Sequence, residues 1–375
     1  MIYLDYNATA PLMPEVFEAM RPFLTERWGN PSSSYSFGAK LKAEIEAARR
    51  DVAALINANS QEIIFTGSAT ESNNTALSSA LLAAPEKRHI VTSLVEHQAV
   101  LNHVSFLERN GYSVTYLPVD SQGLIDMRLL EKSITKDTAV VSLMWANNET
   151  GVLFPVKEIS AVCKSKGVLF HCDAVQAASK VQVDVKDIYV DYLSLSAHKL
   201  KGPKGIGGLF VRKGVYFSPY LNGGHQERGR RGGTENVAGI IGFGKAAEIA
   251  KKELSDYEKR VAPLRDMLEQ GLLTIDNTEL NGHPTYRLPN TSNITFHGVE
   301  AESLLLLLDK EGICASSGSA CLSDSEEPSY VISAMKGGAE IKRQNIRFSL
   351  GTKTTYENIE YTISAVKNAV TMLRK

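Results

Sequence analysis

Residues 194–205 read SLSAHKLKGPKG in a chain of 375 residues, and the other segments can be arranged around this stretch. An apolar run that includes Tyr192 and Leu195 ends in small and polar residues, and Lys199 and a turn rich in glycine and proline follow. The pattern predicts a buried strand that delivers Lys199 to its carboxyl end, where open α/β sheets bind ligands. Taken alone, three lysines after a strand are more often part of a solvated loop. Whether Lys199 belongs to a binding site therefore depends on the other segments.

Apolar segments and helical patterns alternate through most of the chain. The predicted strands cover residues 63–66, 89–93, 114–117, 139–145, 168–172, 192–196 and 208–211. Helical patterns lie between them at 71–84, 97–110, 127–133 and 156–166. The alternation predicts an α/β fold, in which a large domain has a mostly parallel, seven-stranded sheet covered by helices.

The pattern changes after a glycine-rich connector at 223–233. A long helical stretch from about 236 to 271 is expected to be interrupted near Pro263, because proline lacks a helix N–H. Further strands at 292–296 and 346–349, with helices at 301–310 and 355–373, complete the chain. These elements predict a smaller α+β domain. We expect the large domain to span 13–257 and the small domain to combine 1–12 with 258–375.

Composition excludes several classes of function. A net charge of -1 gives no electrostatic reason to expect nucleic acid or an anionic membrane as a partner. The aliphatic run at 304–308 is too short to span a bilayer, and the N-terminus lacks the features of a signal peptide. Four cysteines in a chain of this length indicate neither a disulfide framework nor, without a CxxC pair, a zinc site. The expected setting is soluble, reducing and cytoplasmic.

Two strand ends carry groups that a pyridoxal phosphate bound to Lys199 would need. The sequence TGSATESNN begins at Thr66 and precedes a helical pattern, so it would offer N–H groups and a hydroxyl to a phosphate. A plain helix cap at Thr70 is the alternative. Asp173 ends another strand, and its carboxylate would keep a facing pyridine nitrogen protonated. A helix cap is the alternative for Asp173 as well.

Three further segments carry weaker signals. His97 follows a strand and could stack on a flat cofactor or move protons, although a surface histidine is the more common explanation. Asn148 could hydrogen-bond a phenolic oxygen or a carboxylate, or it could simply form a turn. The basic, glycine-rich connector could bring Thr234 to a phosphate, or it could be a solvated hinge.

The last two signals concern sulfur and carboxylate chemistry. Cys321 lies among small residues, in a loop where a thiol can be exposed and reactive. Cys163 and Cys172 lie in apolar elements and are expected to be inert. Arg347 lies on a predicted strand, where its planar guanidinium could hold a carboxylate with two hydrogen bonds. A structural ion pair is the usual role of such an arginine.

From Leu4 to Gly351 the chain resembles the cysteine desulfurases of the NifS and IscS kind, most closely the NifS branch. The matching motifs are LDYNATAP, GNPSS, TGSATESNN, EHQAV, NNETG, HCDAVQ, SAHKLKGPKG, GGHQERGRRGGTENV, ASSGSACLS, EPSYV and IRFSLG. The resemblance implies a fold-type I enzyme that depends on pyridoxal 5'-phosphate. Ala197 replaces a common glycine and Ala10 a common threonine, and neither change removes a reactive group.

The resemblance also implies a role for individual residues. Lys199 would form the Schiff base, Asp173 would pair with the ring nitrogen, and His97 would stack on the ring. Gln176 and Asn148 would hydrogen-bond to the ring oxygen.

The remaining implied roles concern the phosphate, the sulfur and the substrate. The phosphate would be held by Ala69, Thr70, Ser196 and His198, with Thr234 reaching it from the neighbouring subunit of a homodimer. Cys321 would accept sulfur and could transiently bind an iron–sulfur cluster; no other metal ligand is expected. Arg347 would hold the substrate carboxylate together with Asn148.

The implied reaction converts L-cysteine to L-alanine and leaves the sulfur as a persulfide on Cys321. The sulfur would then pass to an iron–sulfur scaffold or a sulfur-carrier protein. A selenocysteine lyase and an ordinary aminotransferase are alternatives, although the second would have no use for Cys321. A non-catalytic partner protein of the same fold is the alternative from a different class.

Overall fold

The computed structural model describes residues 1–318, 328–337 and 343–375, so Cys321 lies outside the described residues. Its strands are β1 (Ile2–Tyr3), β2 (Ile63–Thr66), β3 (His89–Ser93), β4 (Ser113–Leu117), β5 (Thr138–Met144), β6 (Leu169–Asp173), β7 (Tyr192–Ser196), β8 (Gly207–Val211), β9 (Thr278–Asn281), β10 (Thr291–Phe296), β11 (Ile313–Cys314) and β12 (Asn345–Ser349). Its helices are α1 (Pro14–Thr25), α2 (Ser36–Ala39), α3 (Leu41–Leu55), α4 (Ala69–Ala83), α5 (Gln98–Arg109), α6 (Met127–Ser133), α7 (Val156–Lys166), α8 (Gln226–Gly229), α9 (Val237–Leu273), α10 (Ala301–Lys310), α11 (Tyr330–Met335) and α12 (Tyr356–Leu373). Within these ranges, no helix combines the length and the apolar composition needed to cross a bilayer.

A seven-stranded sheet forms the centre of the larger unit, in the order β2-β8-β7-β6-β5-β3-β4. Strands β4, β3, β5, β6 and β7 pair in parallel, whereas β8 is antiparallel to both of its neighbours. Every residue of β5 and of β7 is buried. Burial along a whole strand means that both faces of the sheet are covered there. The structure thus confirms the predicted mostly parallel, helix-covered sheet.

The sheet brings distant parts of the chain to one edge. Strands β2, β3, β5, β6 and β7 run in the same direction, so their carboxyl ends meet there. Helix α4 follows β2, His97 follows β3, Asn148 follows β5, Asp173 ends β6, and Lys199 follows β7. Open α/β sheets bind their ligands at this edge.

A smaller unit combines the N-terminus with the last third of the chain. Strands β12, β10 and β9 form an antiparallel sheet, and β1 pairs in parallel with β11. Its apolar core contains Leu4, Leu268 from α9, Leu304 from α10 and Val366 from α12. This is an α+β arrangement. The division into 13–257 and 1–12 with 258–375 stays a prediction.

Helix α9 is continuous although Pro263 lies inside it, so the predicted interruption is wrong. Proline removes one helix hydrogen bond and crowds the carbonyl four residues earlier. Tyr257 and Val261 precede it and Leu268 follows it, and all three are buried in the core of the smaller unit. Because tertiary packing supplies most helical stability in proteins, apolar contacts on both sides of Pro263 outweigh the local cost.

Candidate active site

A cavity of about 510 Å³ lies at the carboxyl edge of the seven-stranded sheet. The predicted site residues that line it are Ala69, Thr70, His97, Asn148, Asp173, Gln176, Ser196, His198, Lys199 and Arg347. Thr234 is exposed and is not among the lining residues of its own chain's cavity. The volume is within the range of pockets that bind cofactors and small ligands.

Lys199 reaches the cavity wall from a 3₁₀ turn formed by Ala197–Leu200. Its Nζ donates hydrogen bonds to the carbonyl oxygens of Asn7 at 2.5 Å and Ala8 at 2.7 Å. Both acceptors belong to the N-terminal segment. A lysine side chain is flexible and its amine has three donors, so these two hydrogen bonds determine the position of the Lys199 amine.

Asp173 is oriented by two donors at the end of β6. The backbone N–H of Val175 donates to Oδ1 at 3.0 Å, and Asn73 Nδ2 donates to Oδ2 at 2.7 Å. Asn73 is not among the site residues predicted from the sequence. Asn73 lies in the TGSATESNN motif, four residues after Ala69, so helical periodicity would have placed it on the same face of α4.

The start of α4 offers an anion site. Ala69 and Thr70 line the cavity, and the first N–H groups of a helix have no partner within it and carry the positive end of its dipole. Ser68 caps the helix by accepting a hydrogen bond from the Glu71 N–H. The strand β8 packs directly against this start, since a Cβ at Gly207 would lie 2.5 Å from the Ser68 carbonyl carbon. The helix start is therefore held firmly at the sheet edge.

His198 lines the same cavity, and its imidazole ring is uncharged at neutral pH. Burial, and then the charges of Lys199 and Lys204, lower the pKa of His198 to about 4. Its Nδ1 lies 3.1 Å from the Thr9 hydroxyl oxygen. A neutral imidazole has one donor and one acceptor, so His198 can donate to an anion without adding a charge.

Arg347 is buried and forms an ion pair. A structural ion pair was the alternative to carboxylate binding in the prediction from the sequence. Nη2 of Arg347 donates to Asp5 Oδ1 at 2.6 Å, and its Nη1 donates to the Asn148 carbonyl at 3.0 Å. Within the described ranges, Arg347 Nε and Asn148 Oδ1 are buried without a hydrogen-bond partner. Unsatisfied buried polar atoms are costly, and these two belong to residues that line the cavity.

Glu96 is a second residue that the sequence analysis did not single out. It is fully buried beside His97, and its Oε1 accepts hydrogen bonds from the Ser93 hydroxyl at 2.7 Å and the Met144 N–H at 3.0 Å. Burial first, and the charge of Asp173 to a smaller extent, raise the pKa of Glu96 to about 8, although the two hydrogen bonds oppose this shift. The uncharged carboxyl is therefore the favoured form at neutral pH.

We expect Glu96→Gln to stabilise the protein at alkaline pH. The pKa of Glu96 is about 8 in the folded chain and near 4.5 when unfolded, so between these values the folded state binds more protons. Stability is then lost as the pH rises through this window, and glutamine removes that loss. When the pH is raised from 5 to 8, the free energy of unfolding of the variant should increase by about 1–3 kcal/mol relative to that of wild type. Urea unfolding at both pH values measures it, with exposed Glu86→Gln as the control. An equal effect of both substitutions would contradict the assignment.

The comparisons with known proteins identify the family. The class-V aminotransferase model matches residues 2–362. The chain is 54% identical to "Cysteine desulfurase 2" of Trichormus variabilis, over 100% of this chain and 94% of that protein. It is 48% identical to "Cysteine desulfurase NifS" of Azotobacter vinelandii, over 100% and 93% of the two chains. A solved structure of a NifS-like protein superimposes with a TM-score of 0.93 at 37% identity, covering 99% of each chain. The chain belongs to the class-V aminotransferase family and, within it, to the cysteine desulfurases of the NifS and IscS type.

Proposed function

We propose that this chain uses pyridoxal 5'-phosphate to convert L-cysteine to L-alanine and holds the released sulfur on Cys321. The observation that carries the proposal is one cavity whose wall combines the amine of Lys199, the carboxylate of Asp173, the start of α4 and the guanidinium of Arg347. This chemistry requires a lysine that binds the cofactor and an acid that pairs with its ring nitrogen. It also requires a site for the cofactor phosphate and a site for the substrate carboxylate.

The residues present fit the cofactor. The cavity of about 510 Å³ has room for a phosphorylated pyridine ring and a small amino acid. Asn148 lines the cavity, and its buried Oδ1 has no hydrogen-bond partner among the described residues. Three groups of different charge lie in one wall of the cavity: the start of α4, the Asp173 carboxylate and the Lys199 amine. They match the anionic phosphate, the basic ring nitrogen and the aldehyde of the cofactor, in that order.

Each residue then has a defined task. Asp173, held by Asn73 and Val175, would pair with the ring nitrogen and keep it protonated. Ala69 and Thr70 would bind the phosphate, together with Ser196 and His198. His97 would lie against the ring, and Gln176 and Asn148 would bond its oxygen. When bound, the cofactor supplies an electron sink for negative charge at the substrate Cα.

The substrate would be held by its carboxylate and would lose a proton and its sulfur. Arg347 would bind the carboxylate with its two-pronged guanidinium, in competition with Asp5. The amine of Lys199 would take the Cα proton. The Cys321 thiolate would form a sulfur–sulfur bond with the substrate while the carbon–sulfur bond breaks. Protonation of the remaining three-carbon unit gives alanine, so one cysteine and one enzyme thiol yield one alanine and one persulfide.

The direct test is to incubate the cofactor-loaded protein with L-cysteine and map the added sulfur by mass spectrometry. One sulfur should appear on Cys321 for each alanine formed, and a thiol reductant should remove it. Cys163 and Cys172 should stay unmodified because burial raises the pKa of Cys163 to about 12 and that of Cys172 well above its usual value. Alanine without any sulfur on the protein would refute the proposal.

Arg347→Lys should weaken cysteine binding and spare the cofactor. Lysine keeps the charge but loses the planar pair of donors, so we expect KM to rise by about tenfold or more while the visible spectrum of the bound cofactor persists. Arg287→Lys is the matched control, because Arg287 is a buried arginine paired with Glu269 and is not among the residues lining the cavity. Loss of cofactor binding by Arg347→Lys would make Arg347 structural.

We further propose a homodimer in which Thr234 completes the phosphate site of the neighbouring subunit. Thr234 is exposed at the end of the glycine-rich connector, whose Arg231 is paired with Glu71 at the start of α4. Exposed apolar side chains on and after α1, among them Leu24 and Trp28, offer a surface of the kind that oligomers bury.

Subunit mixing tests the shared site. A chain with Lys199→Ala supplies an intact Thr234, and a chain with Thr234→Val supplies an intact Lys199, so each mixed dimer should contain one complete site. After equal mixing and exchange, activity should exceed the mean of the two parents. Activity equal to that mean would show that each subunit completes its own site.

The sulfur acceptor in this proposal is an iron–sulfur scaffold or a sulfur-carrier protein in the cytoplasm. The three cysteines that the structure describes are free thiols, which a reducing compartment preserves. Purification of the chain from its native cell, with mass spectrometry of the proteins that accompany it, identifies the acceptor.

A further inference from the structure

Lys180 is buried beside the active site. Its side chain leaves the turn that follows β6, and the residue is only 4% exposed. Its Nζ donates to Gln176 Oε1 at 2.6 Å and to Asn7 Oδ1 at 3.0 Å. No ion pair joins Lys180 to a carboxylate in the described part of the chain. A lysine is almost never buried without a charged partner, so this position requires a reason.

The contact between Lys180 and Gln176 supports one orientation of the Gln176 amide. The Lys180 amine donates to the amide oxygen, Gln176 Oε1, at 2.6 Å. The amide nitrogen is thereby turned the other way, where it donates to the Asn7 carbonyl at 2.9 Å and lies at the cavity wall. The Asn7 carbonyl accepts only from the amide nitrogen, so Lys180 and Asn7 support the same orientation of the Gln176 amide from its two ends.

The contact with Asn7 has the same effect on a second amide. Asn7 Oδ1 accepts from both Lys180 and Asn290 Nδ2, which turns Asn7 Nδ2 toward the Asn148 carbonyl at 3.2 Å and the Thr291 hydroxyl at 2.9 Å. The main-chain carbonyl of Asn7 accepts from the Lys199 amine, as does that of Ala8.

We propose that Lys180 is a positioning residue, which holds the amide nitrogen of Gln176 toward the cofactor site and the Asn7 carbonyl beneath Lys199. The inference rests on the proposed function. Burial, and then the charges of Lys199 and Arg347, hold the pKa of Lys180 well below its usual value, and its two hydrogen bonds to amide oxygens hold the amine in place.

Lys180→Met tests the inference, because methionine has a similar length and no donor. The matched control is Lys201→Met, since Lys201 is close in sequence but donates to Glu253 and Thr352. Pyridoxal 5'-phosphate is titrated into each cofactor-free chain, and its dissociation constant and visible absorption are recorded. We expect Lys180→Met to weaken cofactor binding by about tenfold and to change the absorption band, and Lys201→Met to stay within about twofold of wild type.

A second comparison shows whether Lys180 acts through Gln176. Adding Lys180→Met to Gln176→Ala should weaken cofactor binding less than Lys180→Met does alone, because coupled residues are not additive. Full additivity would overturn the inference, as would cofactor affinity and absorption equal to wild type in Lys180→Met.

Folding and the proposed function are checked separately. If Lys180→Met does not fold by circular dichroism, Lys180→Gln takes its place; its shorter side chain ends in a donor and an acceptor, so it should weaken cofactor binding in the same direction but less. Failure of both variants to fold would make Lys180 a folding residue and overturn its positioning role. If wild type itself takes up no pyridoxal 5'-phosphate, the proposed function fails; a defect shown by Lys201→Met as large as that of Lys180→Met would overturn only the present inference.

Discussion

Cys321→Ser should abolish alanine formation while the cofactor stays on Lys199. Serine keeps the size and polarity of cysteine, but its hydroxyl is a poor nucleophile toward sulfur and is not ionised near neutral pH. Because no other group in the proposal accepts the sulfur, the rate of alanine release should fall by about three orders of magnitude or more. L-cysteine should still bind, as seen from a change in the visible absorption of the cofactor-loaded protein.

Cys314→Ser is the matched control for this substitution. Cys314 lies in the same part of the chain, on β11, where burial and the nearby carboxylates of Asp309 and Asp5 raise the pKa of its thiol. A protonated, partly buried thiol is a weak nucleophile, so its loss should leave the rate unchanged. Normal alanine formation by Cys321→Ser, or loss of activity in Cys314→Ser alone, would overturn the role assigned to Cys321.

Asp173→Asn should have the second largest effect. Asparagine keeps the shape but removes the charge that would hold the ring nitrogen protonated, so the cofactor loses much of its capacity as an electron sink. We expect kcat to fall by about two to four orders of magnitude, with a smaller loss of cofactor affinity. Stopped-flow measurement of alanine release and equilibrium titration of the cofactor separate the two effects.

Two further variants separate charge from position. Asn73→Ala should give a smaller defect than Asp173→Asn, because it removes one donor to the carboxylate but leaves the charge in place. Asp191→Asn is the control: Asp191 is also a buried aspartate of the larger unit, but it accepts a hydrogen bond from the Phe170 N–H and does not line the cavity. A defect in Asp191→Asn equal to that of Asp173→Asn would indicate damage to the sheet rather than loss of chemistry.

The sequence by itself determined the seven-stranded sheet and most of the cavity wall. Short runs rich in apolar residues predicted strands such as β5 and β7, and the structure buries every residue of both. Parallel strands bring their carboxyl ends to one edge, and this topology alone places Asp173 and Lys199 near each other. The motif resemblance added the roles of these residues.

Only the tertiary structure decided how these groups are held. Arg347 is paired with Asp5 across 342 positions of sequence, and Lys180 meets Asn7 across 173. No periodicity encodes such pairs, because each joins the N-terminal segment to a distant part of the chain that only folding brings close. The continuity of α9 through Pro263 has the same cause, since core packing on both sides outweighs a local preference that sequence rules capture. Burial, which governs the charge of Glu96 and His198, likewise exists only in the folded chain.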